Sequence, residues 1–234
     1  ATKFIEAVGQ FERIMNDSGF VTLTRLAASE ITGQDGKAGI IEKYFSLSQT
    51  DTTCLKDIGL YPEEMRVGAD ILCLHTLSDV EDLPGKVGTD CRFEKLSTDR
   101  SDCRLSFAAP VGVLLSCNHV YNQFIFIDDH AENLKNFEQT ARNMQSLSRY
   151  SRANQVNKEW IDEYLNEAHS KGLISVRCHC NVMAWSDDRE ELKRIRNDVG
   201  SQLALMECKP RHNTVDTPTL FWAGIPGNEA DFPA

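Results

Sequence analysis

The stretch Ile174-Ser-Val-Arg-Cys-His-Cys-Asn-Val-Met-Ala-Trp-Ser-Asp-Asp-Arg-Glu-Glu-Leu192 decides the fold, because its apolar period changes at Asp187-Asp188. Before that pair, Ile174, Val176, Cys178, Cys180 and Val182 alternate with Ser175, Arg177, His179 and Asn181, the pattern of a strand with one buried face. After it, Leu192, Ile195, Val199 and Leu203 recur at helical spacing. The carboxylates of Asp187, Asp188, Glu190 and Glu191 suit the positive end of that helix. A further strand is expected near 205–209.

The same order occurs upstream. Val111 to Cys117 and Val120 to Ile127 read as strands joined by a two-residue turn at Asn118-His119. Asp128-Asp129 then opens a helix through Leu134, Phe137, Ala141 and Met144, with Glu132 at capping-box distance from Asp129. Another helix places Trp160, Ile161, Tyr164, Leu165 and Ala168 on one face and closes at Lys171-Gly172. Two strand-Asp-Asp-helix units predict an α+β fold: a mixed or antiparallel sheet with ferredoxin-like strand-helix units plus flanking helices.

The first half is less regular. Phe4, Ile5, Val8, Phe11, Ile14 and Met15 mark an amphipathic helix ended by Asn16-Asp17-Ser18-Gly19, and a strand is expected over Phe20 to Leu26. Gly33-Gln-Asp-Gly-Lys-Ala-Gly39 is a loop opening onto a helix with Ile40, Ile41, Tyr44 and Phe45. From Ser48 to Leu105, short apolar runs such as Ile71 to Leu77 alternate with Pro62, Pro84-Gly85 and Gly88, so a small β-rich flank is expected. The expected organisation is residues 1–105 as a helix and a β-rich flanking section, 106–225 as the sheet-helix core, and 226–234 as the start of a linker.

At 234 residues and 41% hydrophobic content the chain can bury a substantial core. It opens on Ala1 directly into a helical pattern, which suggests an excised fragment rather than a natural start. Its longest apolar stretches are interrupted by Asn118, His119, Gln123 or charges, short of the roughly 18 apolar residues of a membrane helix. Direct membrane insertion is therefore not expected.

A net charge of −10 and a pI near 5.1 set the summed field against phosphate backbones, which makes nucleic acid an unexpected partner. Arg142, Arg149 and Arg152 form the nearest thing to a basic stripe and read as a solvated helix face. The eight cysteines (Cys54, Cys73, Cys91, Cys103, Cys117, Cys178, Cys180 and Cys208) are too sparse for a disulfide scaffold and read as reduced, cytoplasmic and mostly buried.

No constellation carries chemistry strongly. A P-loop needs Gly-x4-Gly-Lys-Ser/Thr, and Lys37 after Gly36 lacks both the following hydroxyl and the earlier glycine. Cys178-His179-Cys180, with Cys117 and His119, supplies zinc-type donors, yet a strand turns His179 away from the two thiols. A Cys-His nucleophile pair or an Asp-Asp dyad is chemically conceivable. Core packing for the thiols and helix capping for the carboxylates are the plainer readings. No catalytic, cofactor or metal residue is assigned.

The carboxyl end carries the most specific signal. In Leu220-Phe-Trp-Ala-Gly-Ile-Pro-Gly-Asn228, Pro226-Gly227 is a turn, and Phe221, Trp222 and Ile225 share a face if the preceding segment is helical. The segment Trp222-Ala-Gly-Ile-Pro-Gly-Asn228 resembles the signature closing the N-terminal part of the conjugation ATPases of type IV secretion systems, the TrbE/CagE-like family. The similarity is to the TraG type of Bacteroides conjugative transposons, and it extends through Phe107 to Asp129 and Ile174 to Pro210 over the whole chain.

In that family a P-loop ATPase domain follows this segment. The resemblance therefore implies a non-catalytic N-terminal assembly module, with ATP and Mg²⁺ confined to the following domain. It also implies contacts with other conjugation or secretion subunits and with the chain's own ATPase domain. Homo-oligomerisation and a cytoplasmic place peripheral to the inner membrane are further expectations. Phe221, Trp222, Ile225, Pro226, Gly227 and Asn228 are the candidate interdomain residues. The rival readings are a free-standing enzyme with a cysteine or acidic site, which requires a deep polar pocket, and a nucleic-acid-binding module, which requires a strongly basic surface.

Overall fold

A computed structural model describes residues 2–48, 50, 56–85, 87–88, 90–148 and 150–233. The chain divides into two units, residues 1–58 and 59–234. Cys54 and Arg149 lie outside the described residues.

The first unit contains helices α1 (Thr2–Asp17), α2 (Ala28–Thr32) and α3 (Ile40–Ser46). α1 ends as the sequence suggests: Ser18 Oγ donates to the Met15 carbonyl at 2.6 Å, and Gly19 takes a positive φ of 72°. The strand expected over Phe20 to Leu26 does not form. The Asn16 side chain holds that segment instead, accepting from Leu23 N at 2.6 Å in place of a strand partner.

The second unit is organised by an antiparallel sheet whose order is β1 (Ile58–Tyr61), β2 (Glu64–Val67), β3 (Asp70–Leu77), β7 (Arg177–Ser186) and β6 (His119–Phe126), with β8 (Arg211–Asn213) also paired to β3. A separate two-stranded ribbon joins β4 (Cys91–Arg92) to β5 (Arg104–Leu105). Two helices connect sheet strands: α4 (Ala109–Leu114) lies between β3 and β6, and α7 (Arg189–Leu205) between β7 and β8.

The strands β8-β3-β7-β6, all antiparallel, with these two crossovers on one face, form a split βαβ arrangement, the ferredoxin-like topology. The fold class is α+β. Where a short turn could join β6 to β7, the chain inserts a helical hairpin, α5 (His130–Leu147) and α6 (Arg152–Lys171), closed by Gly172 at φ 66°. Phe137 and Tyr164 meet across it with ring centroids 5.0 Å apart.

Strand alternation sorts the sheet's two faces. Cys180, Val182 and Ala184 of β7, with Leu77 of β3, pack on Ile195, Val199 and Leu203 of α7 and on Val111 of α4. The opposite face carries His179, whose ring stacks on Phe232, and Phe124 of β6, whose ring lies 4.6 Å from the same phenylalanine.

Several boundaries differ from the sequence reading. Val111 to Cys117 contains helix α4 rather than a strand, because Pro110 sits in its first turn with φ preset and no N–H to lose. Asn118-His119 is consequently not a hairpin turn: β6 starts at His119 and pairs with β7. The strand expected near 205–209 starts later, at Arg211, since α7 runs through Leu205 and turns at Glu207 with φ 60°. The division falls after Ile58, not at 105, because β3 is an interior strand with ladders to β2, β7 and β8. Within residues 226–233, where the start of a linker is expected, a 3-10 turn, Glu229–Asp231, brings Phe232 onto the sheet.

The repeated Asp-Asp pairs cap helices. Asp129 accepts from Glu132 N and Asp188 from Glu190 N, each at 2.9 Å. Asp128 instead pairs with Arg177, joining the end of β6 to the start of β7.

Candidate functional site

The segment from Thr217 to Pro233 is a strap across the sheet's second face. Helix α8 (Thr217–Ala223) begins with proline in its first turn and buries Leu220, Phe221 and Ala223. Beyond it, Ile225 and Phe232 are also buried. Between these anchors the chain makes the turn that Pro226-Gly227 encodes: Asn228 N donates to the Ile225 carbonyl at 2.9 Å, and Gly227 has φ 104°. The Glu229 carboxylate accepts from Gly227 N at 2.9 Å, and Asn228 Nδ2 donates back to the Trp222 carbonyl at 3.3 Å.

The candidate interdomain residues therefore divide. Phe221 and Ile225 are buried anchors; Pro226, Gly227 and Asn228 lie at the surface. Trp222 does not share the face of Phe221, being 42% exposed while Phe221 is fully buried, because adjacent positions on one helical turn point about 100° apart. The two rings meet edge to face at 5.8 Å. The turn thus presents a short outer ridge over an apolar underside.

Two anchors on this side were not singled out as such in the sequence. His179 Nδ1 donates to the Pro233 carbonyl at 2.8 Å, while Asn181 Nδ2 donates to His179 Nε2 at 3.0 Å. Asn122 Nδ2 in turn donates to Asn181 Oδ1 at 3.0 Å. Burial holds His179 below the ordinary histidine value, which keeps the imidazole neutral and able to accept from Asn181. The strand alternation placed His179 opposite Cys178 and Cys180, and only a fold that returns the carboxyl end to that face could reveal its partner.

The thiols sit in apolar settings. The seven described cysteines are unpaired, with Cys73, Cys180 and Cys208 buried. Burial pushes the Cys73 thiol up to about 12 and Cys208 up to about 11, and also raises Cys117 and Cys180. Such thiols stay protonated and are weak nucleophiles at neutral pH. Cys73 Sγ lies 3.9 Å from His75 Nδ1, but burial lowers His75 to about 4, so neither partner is tuned for proton transfer near neutrality. Among the described residues no group of three or more His, Cys, Asp or Glu side chains is arranged to hold a metal ion.

Among the described residues no helix is long and apolar enough to cross a membrane. Arg142 pairs with Glu138 and Arg152 is exposed. Comparison of the chain with protein-family models gives no match, and neither does comparison with curated proteins.

Proposed function

We propose that this chain is a non-catalytic assembly module of a conjugative-transfer ATPase, making protein contacts that position a motor domain. The observation that carries the reading is the placement of the signature-like segment. Within it Trp222, Pro226, Gly227 and Asn228 form an outer ridge held from beneath by Phe221, Ala223, Ile225 and Phe232, so contact made there passes directly to the sheet. A hydrogen-bonded turn on buried aromatic anchors is preorganised, and a preorganised surface loses little entropy on docking. The partners proposed are subunits of the transfer apparatus and the P-loop domain of the same protein, at the cytoplasmic face of the inner membrane. ATP and Mg²⁺ are proposed for that domain.

The alternative of a cysteine enzyme is weakened by the raised thiols of Cys73, Cys117, Cys180 and Cys208. The test is expression of this chain in a donor cell carrying an active conjugative element. An assembly module should compete with the resident ATPase, lowering transfer frequency and co-purifying with transfer subunits. Normal transfer with no such subunit retained, in cells that accumulate the folded chain, would overturn the proposal.

A further inference from the structure

On the helical face of the sheet, away from the strap, α7 and β8 border a cleft of about 650 Å³. Its walls include His75 from β3, His212 from β8 and Arg196, Asn197, Gly200 and Ser201 from α7, and none of its lining residues is acidic. His75 and His212 are cross-strand partners with ring centroids 5.3 Å apart. A smaller cavity of about 310 Å³ shares Arg196 and His212, so these two side chains lie at the boundary between the spaces.

Of the three acidic residues that line the smaller cavity, Glu64 and Glu190 are engaged in ion pairs, while Glu63 is exposed and lies outside the larger cleft. Arg189 pairs with Glu64 and Lys193 with Glu190, both beside the smaller cavity. Arg196 has no ion-pair partner among the described residues. The residues lining this one cleft thus carry a guanidinium, two imidazoles, an amide and a hydroxyl. Such a set supplies donors from several directions, which suits a tetrahedral oxyanion with several acceptor oxygens better than a planar carboxylate, for which one arginine fork suffices. Gly200 keeps the wall open: a Cβ built there meets nothing within 4 Å.

We propose that the cleft between α7 and β8 is a binding site for a phosphoryl group, held by Arg196 with His75, His212, Asn197 and Ser201. The site is independent of the assembly role. Burial chiefly, and Arg196 in addition, disfavours the charged form of both histidines, so a bound anion should oppose the Arg196 contribution and draw protons onto them.

The test follows the ring-proton resonances of the histidines in the whole chain, titrated at constant ionic strength with inorganic phosphate, with glycerol 3-phosphate and with acetate. The proposal expects saturable, parallel shifts of His75 and His212 with phosphate or its monoester, no comparable response to acetate, and an undisturbed His169. Tighter binding of the monoester would assign the site to a phosphorylated small molecule; equal or weaker binding would assign it to free phosphate. Arg196→Gln should weaken binding about tenfold or more, the loss expected for a charge-assisted hydrogen bond. Gly200→Leu should block the cleft without lowering the melting temperature, since the position is inside α7 and leucine is the better helix former. Absence of a saturable shift, equal binding of acetate, or phosphate binding unaltered in both variants would overturn the assignment.

Discussion

His179 Nδ1 donates a hydrogen bond to the carbonyl oxygen of Pro233 at 2.8 Å, fastening the carboxyl end to the middle of the sheet. The bond works together with Phe232, whose ring stacks on the same imidazole at 4.5 Å and lies against Phe124. Phe232→Ala should therefore cost about 3 kcal/mol, as for other buried phenylalanines truncated to alanine. Urea unfolding checks this, and limited proteolysis should show new cleavage between α8 and Pro233. An unchanged midpoint and digestion pattern would mean that the strap contributes nothing to the fold.

The two aromatic neighbours in α8 should behave differently. Phe221→Ala removes a fully buried ring and should cost about 3–5 kcal/mol. Trp222→Ala removes a side chain that already retains 42% of its exposure, so its cost should be distinctly smaller, about 1 kcal/mol. In a longer protein containing the motor, the same Trp222→Ala should reduce coupled ATPase activity if the outer ridge contacts the motor. Equal melting temperatures for the two variants would contradict the division of roles between these rings.

Acid should destabilise the fold through its buried histidines. Burial lowers His75 to about 4, with further lowering by His212 and Arg196, and burial also lowers His179. Both native values lie below the value of about 6.5 in an unfolded chain, so the unfolded state binds more protons as pH falls. The stability is complete above pH ~6.5 and is lost progressively toward pH ~4, with a share of about 3 kcal/mol from His75. Urea midpoints measured across that range should fall with pH, and His75→Phe should flatten the slope. A slope identical in His75→Phe would remove His75 from this account.

The α+β class and the strand-helix order around Asp187-Asp188 were legible because β7 and α7 are long enough for their periods to separate. Capping by Asp129 and Asp188 was legible for the same reason: a carboxylate just before an amphipathic run has few better uses. Shorter apolar runs were ambiguous. Val111 to Cys117 fits a buried strand or one helical turn equally well by composition, and Pro110 selects the helix. The interior position of β3 was hidden because ladders to β7 and β8 join residues far apart in sequence. The cleft was hidden likewise: His75, Arg196 and His212 lie on three separate elements, and no local spacing connects them.

The caps give a direct comparison. Asp129→Ala and Asp188→Ala each remove a side-chain acceptor at 2.9 Å from a helix N–H and should cost about 1 kcal/mol. Asp187→Ala, one position earlier and exposed, should cost much less. Thermal unfolding of the three variants tests the assignment, which fails if Asp187→Ala matches the other two.

Glu207 should be replaceable with a gain in stability. It follows α7 at φ 60°, and Cys208 N closes the helix onto the Leu203 carbonyl at 3.0 Å, a geometry in which glycine is favoured. Two effects favour glycine here: the left-handed conformation costs an ordinary residue about 1–2 kcal/mol, and a carboxylate at a helix C-terminus faces the negative end of its dipole. One effect opposes it, because glycine loses roughly 0.5–1 kcal/mol more conformational freedom on folding. The balance predicts that Glu207→Gly raises stability by about 0.5–1 kcal/mol. Glu207→Ala separates the causes, since alanine removes the charge but retains the strained Cβ. It should gain only a few tenths of a kcal/mol from the dipole, so a denaturant midpoint equal to that of Glu207→Gly would show that backbone conformation is not what limits this position.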